Sequence, residues 1–348
     1  MSLYDDVKDL PLEIEGYSVE GLELQARSDF LRKTTVVHLH GRGEEGIGED
    51  VTYHAEEHDR SLALGPVFSL PGAWTLRTFS QHLTTLPLFD EEPAQHAYYD
   101  YRRWAYESAA LDLALRQAGL SLGKAVQRDP RPVAFVVSMG LGSPPSTERF
   151  NSWLGLYPGL RFKLDGNPEW SDELIDELAA SGAVDSVDLK GQYRGTTVDS
   201  PPDAALYRRV AEALPGAWLE DPGLTPETEA VLEPHRDRVT WDAIIHSVED
   251  IEGLAWPPRT VNVKPSRFGS VERLFAAYDY CEAEGIGAYG GGQWELGPGR
   301  GQIQLLASLF HPDTPNDVAP RAFNMEPKAG LPASPLEVEP RATGFFAL

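Results

Sequence analysis

The sequence predicts an α/β fold: a modified (β/α)8 barrel of the TIM type joined to an α+β capping domain. Three observations carry this. The chain has 348 residues, whereas a barrel alone takes about 250, so room remains for a smaller partner. From Pro132 onward, short β-branched runs alternate with helical patterns, as repeated βα units require. A charged residue follows almost every one of those runs, and strand ends are where such barrels place their active sites.

In the first third, Leu22 to Ala26, Thr34 to His40 and Gly46 to Tyr53 read as strands, punctuated by glycines between Gly41 and Gly48. Residues 100–118 read as a helix. Trp104, Ser108, Leu111, Leu115 and Ala118 recur at three- and four-residue steps, and Gly119 follows as a stop. The polar, Pro-rich stretch Gln127 to Pro132 marks a boundary. Residues 1–130 are therefore expected to form the cap and residues 131–324 the barrel. Residues 325–348 are Pro-rich and then apolar at Phe345, Phe346 and Leu348, and they are expected to pack back on the cap.

Six strand-like runs follow the boundary: Val133 to Val137, Arg161 to Leu164, Ser186 to Leu189, Ala217 to Leu219, Arg238 to Trp241 and Thr260 to Val263. Helix signals lie between them. Ser171 precedes an acidic first turn, as an N-cap does. Pro202 stands near the start of a second helix. Ser247 to Leu254 and Ser270 to Glu284 follow the same pattern, the latter stopping at Gly285. So many units in series favour a closed barrel over an open sheet.

Composition narrows the function classes. Hydrophobic residues make up 41%, enough for a large core. Acidic residues outnumber basic ones 54 to 30, a formal net charge of −24. Such a surface repels nucleic-acid phosphates and anionic membranes. The single cysteine, Cys281, excludes an internal disulfide and falls in an apolar helical stretch as a buried thiol. No basic start with an apolar run marks a signal peptide, and no window approaches the ~20 apolar residues of a membrane span. The expectation is a cytoplasmic protein that binds neither nucleic acid nor membrane.

The residues that follow the runs carry the chemistry. Lys163 follows the second run, Asp188 and Lys190 the third, Glu220 the fourth, Asp242 the fifth and Lys264 the sixth. They recur 22 to 32 residues apart, about one βα unit, so they should gather on one face. Three carboxylates without clustered His or Cys suit a hard cation such as Mg²⁺, with Mn²⁺ as a substitute. Lysine is scarce: only seven of the 30 basic residues are lysine, and three of those seven stand at predicted strand ends. Unlike arginine, a lysine near a cation can lose its proton at working pH and serve as a general base.

In this order the residues resemble the enolase superfamily, specifically its muconate lactonizing enzyme-like subgroup. G-I-G-E-D at 46–50 is similar to the Gly-x-Gly-Glu turn of the capping domain. A-L-D-L-A-L at 110–115 is similar to the helix before the barrel. V-K-P-S-R-F-G at 263–269 resembles the sixth-strand lysine motif, and G-G-G-Q-W-E-L-G at 290–297 a seventh-strand segment carrying a glutamate, here Glu295. The resemblance implies an Mg²⁺-dependent isomerase or lyase. Asp188, Glu220 and Asp242 would hold the metal. Lys163 or Lys264 would take the α-proton of a small-molecule carboxylate to give a metal-stabilised enolate, followed by epimerisation, cycloisomerisation or dehydration. Lys190 and Glu295 join the catalytic candidates, and a homo-oligomer is implied.

Three positions depart from the subgroup. Its second-strand pattern is Lys-x-Lys, whereas Arg161 stands here before Lys163 and keeps a positive charge beside it. Lys190 replaces an asparagine two residues beyond the third-strand ligand, on the same strand face by the two-residue period. Ala243-Ile244 replaces Glu-Ser after Asp242. The cap segments Ser28 to Arg32 and Asp50 to Tyr53 are the specificity candidates. Phe30, Tyr53 and Arg161 are expected to contact substrate, and Arg32 offers a partner for a substrate carboxylate. His246 and His311 are expected to be structural. Two other readings compete: a Schiff-base aldolase using Lys264, and an altered barrel that serves as a binding or scaffold protein.

Overall fold

The computed structural model describes residues 2–27, 30–196 and 198–346. Ser28 and Asp29 of the first cap segment, and Leu348 of the tail, lie outside the described residues. The cap opens with β1 (Pro11–Ile14), β2 (Gly16–Arg27), β3 (Phe30–Gly41) and β4 (Glu44–Asp50), then α1 (Ala55–Leu64), β5 (Gly72–Thr75), α2 (Leu76–Leu83), α3 (Ala97–Gln117) and α4 (Leu122–Ala125). β2, β3 and β4 form an antiparallel meander, and β1 pairs with β5.

The meander can sit on α3 because of two glycines. A Cβ at Gly46 would lie 2.3 Å from the Ala109 carbonyl oxygen, and one at Gly48 would lie 2.0 Å from that of Ala105. The Gly-x-Gly spacing therefore lets β4 lie directly on the helix backbone. Covered by the sheet on one side and the barrel on the other, α3 is buried over most of its 21 residues.

The barrel runs β6 (Val137–Gly140), α5 (Glu148–Leu156), β7 (Phe162–Asp165), α6 (Asp172–Ser181), β8 (Val184–Asp188), α7 (Ala204–Ala213), β9 (Trp218–Glu220) and α8 (Pro226–Leu232). It continues through β10 (Val239–Thr240), α9 (Val248–Glu252), β11 (Thr260–Val263), α10 (Pro265–Phe268), α11 (Val271–Glu284), β12 (Gly287–Gly290) and α12 (Pro298–Phe310). β6 to β10 pair in parallel in sequence order, and β11 pairs in parallel with β12. Asn262 N donates to Trp241 O (2.9 Å), joining β10 to β11. Parallel bridges Gly291–Asp317 and Phe135–Asn316 close the ring, so residues 316–317 take the eighth place. This is the capped α/β barrel that the sequence predicts.

Local signals explain the helix starts. The Ser171 hydroxyl accepts from Leu174 N, and Ser247 and Ser270 cap α9 and α11 in the same way. α11 ends at Gly285 with φ 67, a left-handed cap. Asp203 rather than Pro202 starts α7: its carboxylate accepts from Ala205 N and Leu206 N, and the proline lies one residue outside the cap. Regular pairing of the first barrel strand begins at Val137, later than the run at Val133, because Val133 and Phe135 make only single bridges, Val133 to Leu336 of the tail. Further along the tail, Gly344 bridges to Ser121 and Phe345 is fully buried edge-on to Trp104. Among the described residues, no helix is long and apolar enough to cross a membrane.

Candidate metal centre at the barrel mouth

Asp188 ends β8, Glu220 ends β9, and Asp242 stands two residues beyond the end of β10. Consecutive strands place them side by side: Asp188 pairs directly with Glu220, and Glu220 with Thr240. One carboxylate oxygen from each lies within 4.8 Å of the others, and all three residues are 0% exposed. Three convergent oxygen donors with no His or Cys suit a hard divalent cation.

Four cationic side chains neutralise this cluster. Lys163, within β7, binds Glu220 and lies 3.7 Å from Asp188 and 3.9 Å from Asp242. Lys264, just after β11, donates to Asp242 Oδ2 at 2.8 Å. Lys190 donates to Asp188 Oδ2 at 2.6 Å and lies 3.0 Å from Asp165 Oδ1. Arg267 donates to both the carboxylate and the carbonyl of Asp242. Lysines from the second and sixth of eight strands thus both reach the acids, and both approach Asp242 Oδ2.

The electrostatics divide the acids. Burial opposes ionisation of Asp242, yet Arg267, Lys264 and Lys163 hold its carboxyl well below the usual range. Asp188 is likewise held down by Lys190 and Lys163 against burial. Glu220 goes the other way, pushed up to about 8 by burial and by the neighbouring Asp188 and Asp242, with Lys163 opposing. Burial works against the Lys163 ammonium, but Glu220, Asp188 and Asp242 raise its pKa well above the ordinary lysine value.

Three groups at the centre escaped the sequence reading. Asp221 follows Glu220 with φ 49, and its carboxylate accepts from Asp242 N and Ala243 N, both at 2.8 Å. It thereby fixes the chain that presents Asp242. Burial, with Asp242 and Asp188, pushes Asp221 up to about 7. Arg267 was written in the V-K-P-S-R-F-G motif, one helical turn after Lys264. Tyr193, whose hydroxyl donates to Asp242 Oδ2 at 2.9 Å, lies in a polar loop with no periodic signal.

Other expected site residues stand elsewhere. Arg161 points away from Lys163: it pairs with Asp185 and donates to Gly182 O, and its side chain is 42% exposed. Arg161 stands one residue before β7, outside the regular strand, and the β7–β8 pairing beside it skips Asp185, the residue that Arg161 binds. Glu295 is also outside the cluster. The chain turns at Trp294, φ 59, and the Glu295 carboxylate accepts from Gln293 N and faces Arg300 at 3.1 Å. Lys190 reaches Asp188, but by a turn with φ 55 beyond the strand rather than by strand alternation.

The cap residues meet the loop after β12. Phe30 packs edge-on against Trp294 at 5.7 Å, and Tyr53 donates to Gln293 Oε1 at 2.9 Å. Arg32 is not free to read a substrate carboxylate. It is fully buried and donates to the carbonyls of Val51, Thr52, Gln293 and Trp294. His311 is buried between Asn316 Oδ1 (2.6 Å) and the Tyr278 hydroxyl (3.1 Å), and burial pushes it down to about 4. His246 hydrogen-bonds the carbonyls of Arg267 and Ala243.

Such a capped barrel, with three acids at successive strand ends, has the fold of enolase-superfamily enzymes. The structure is similar to a dipeptide epimerase from Enterococcus faecalis V583 (TM-score 0.69, 15% identity, 97% of this chain and 99% of that one). It is also similar to a muconate cycloisomerase from Pseudomonas fluorescens (0.65, 18%, 93% and 92%). A probable mandelate racemase from Alicyclobacillus acidocaldarius matches as well (0.66, 19%, 89% and 87%). At these identities the likeness establishes the fold. No curated protein matches the sequence. The chain belongs to the family described as a domain of unknown function (DUF8230), matching its N-terminal domain over residues 5–125 and its C-terminal domain over residues 129–325.

Proposed function

We propose that this protein is an Mg²⁺-dependent isomerase or lyase that removes the α-proton of a small-molecule carboxylate. The observation that carries this reading is the buried acid triad flanked by lysines from opposite strands, Lys163 on Glu220 and Lys264 on Asp242. Asp188, Glu220 and Asp242 would hold the cation, which supplies a Lewis acid for the substrate carboxylate. The epimerase, cycloisomerase and racemase named among similar structures support the same class of chemistry.

The pairing of the lysines bears on how either becomes a base. Paired with carboxylates, Lys163 is held protonated, the wrong direction for proton abstraction. With a divalent cation held by Asp188, Glu220 and Asp242, their pull on the ammonium would weaken and burial would favour the neutral amine. One lysine then accepts the α-proton. The other, on the far side, either stabilises the negative charge or returns a proton. Which of the two plays which part sets epimerisation against elimination or cycloisomerisation.

The test is thermal unfolding with Mg²⁺ and with EDTA, on the natural chain and on Glu220→Gln. Mg²⁺ should raise the midpoint of the natural chain and not that of the variant. A cation at a hundredfold its Kd adds about 2.7 kcal/mol of stability. A shift absent from both proteins would remove the metal-dependent reading. It would turn attention to borohydride trapping of Lys264, which a Schiff-base aldolase would permit.

A further inference from the structure

The loop between β8 and α7 turns inward at its start. Lys190 adopts φ 55, Gly191 N donates to Asp221 O at 2.9 Å, and Gln192 donates to Pro222 O. Ser200 N returns to Lys190 O at 3.2 Å, so the two ends of the excursion meet. Thr196 donates to Tyr193 O through both its backbone N (3.0 Å) and its hydroxyl (2.7 Å). These bonds fix the backbone around Tyr193 while its ring reaches the metal centre.

There the Tyr193 hydroxyl and Lys264 Nζ converge on one oxygen, Asp242 Oδ2, at 2.9 and 2.8 Å. The two donors come from different elements, one a neutral phenol and one an ammonium. Asp242 already faces Arg267, Lys264 and Lys163, so charge balance does not require the phenol. Lys190 Nζ lies over the Tyr193 ring, 4.8 Å from its centroid, a cation–π contact. In this structure the oxygen is Asp242's own; with that carboxylate turned to a cation, the same two donors would be left to a substrate oxygen brought beside it, as fixed oxyanion donors are.

We propose that Tyr193 is a catalytic residue of this centre, its hydroxyl hydrogen-bonding the substrate carboxylate oxygen that gains negative charge when the α-proton leaves. This rests on the proton-abstraction reading above. The phenol keeps its proton throughout and the α-proton passes to a lysine, so Tyr193 contributes a hydrogen bond and no proton transfer.

Oxalate is the probe: a planar dianion shaped like the enolate of a carboxylate. Its binding to the Mg²⁺-saturated protein is measured by calorimetry for the natural chain, Tyr193→Phe and Val198→Ala. The last is a loop control whose side chain is exposed. The Mg²⁺ thermal shift of each protein is recorded alongside. Tyr193→Phe should keep the Mg²⁺ shift and bind oxalate about 10- to 100-fold more weakly, the worth of one hydrogen bond to a charged group. Val198→Ala should match the natural chain. The proposal is overturned if Tyr193→Phe binds oxalate normally, or if Val198→Ala is weakened equally. Loss of the Mg²⁺ shift in Tyr193→Phe would also overturn it, since the hydroxyl would then serve only to hold Asp242. A natural chain that takes up Mg²⁺ but not oxalate would overturn the proton-abstraction reading itself, and Tyr193 with it.

Discussion

Buried charge is neutralised in two different ways at the barrel mouth. At the seam between cap and barrel the partners are backbone groups. Glu49 accepts from the N–H groups of Leu296, Gly297 and Gly299 at the start of α12, and Arg32 donates to four carbonyls. At the centre the partners are side chains: Lys163 on Glu220, Lys190 on Asp188, and Lys264 and Arg267 on Asp242. Backbone dipoles cannot leave, so the seam is fixed once the chain folds. An ammonium on a four-carbon stem can swing away. On the function proposed above, the centre exchanges its own cations for a metal and a substrate, while the seam holds the cap in place over it.

The largest effect should come from removing the exchangeable charges. Lys163→Ala and Lys264→Ala should each slow solvent deuterium exchange at the α-carbon of a turned-over carboxylate by about 10²- to 10⁴-fold, the usual worth of a general acid or base. Proton NMR in deuterium oxide reads this directly. Exchange persisting unchanged in both variants would mean that the lysines are structural counter-charges, and the distinction between centre and seam would collapse.

The seam should respond in stability instead. Arg32→Met keeps much of the side-chain volume but leaves the carbonyls of Val51, Thr52, Gln293 and Trp294 without their donor. A loss of about 3 kcal/mol in urea unfolding is expected, since buried unpaired polar groups cost about 1–3 kcal/mol each and some of these will find water. The Mg²⁺ thermal shift should survive. A variant as stable as the natural chain would show that packing, not the guanidinium, joins cap to barrel.

The same contrast explains what the sequence could reveal. Helical periods marked α3 and α11, and β-branched runs marked the strands. The acids at strand ends could be named because parallel strands of similar length deliver their final residues to one face. Arg32 gave no sign of its role, because backbone partners leave no mark in a sequence. Tyr193 lies in G-Q-Y-R-G-T-T, a stretch that reads as a solvated loop. Hydrogen bonds to Asp221, Pro222 and Thr196 help to turn it inward. Glu295 is named by the resemblance alone, and the left-handed turn at Trp294 sets its carboxylate on Gln293 N and opposite Arg300.

Arg161 gives the smallest effect and tests the boundary between the two kinds of charge. It lies two residues before Lys163, and an uninterrupted strand would put both cations on the barrel interior. Arg161 instead stands just before β7 and turns to Asp185, the residue that the β7–β8 pairing skips, and to the Gly182 carbonyl, near the strand entrance. An ion pair with one partner 42% exposed contributes little, because water screens it and two side chains lose freedom. Arg161→Ala should therefore change unfolding stability by less than about 1 kcal/mol. It should leave both the Mg²⁺ shift and α-proton exchange at the natural level. A fall in exchange approaching that of Lys163→Ala, with the Mg²⁺ shift intact, would mean that the guanidinium influences Lys163 in solution. The centre would then extend one layer deeper into the barrel.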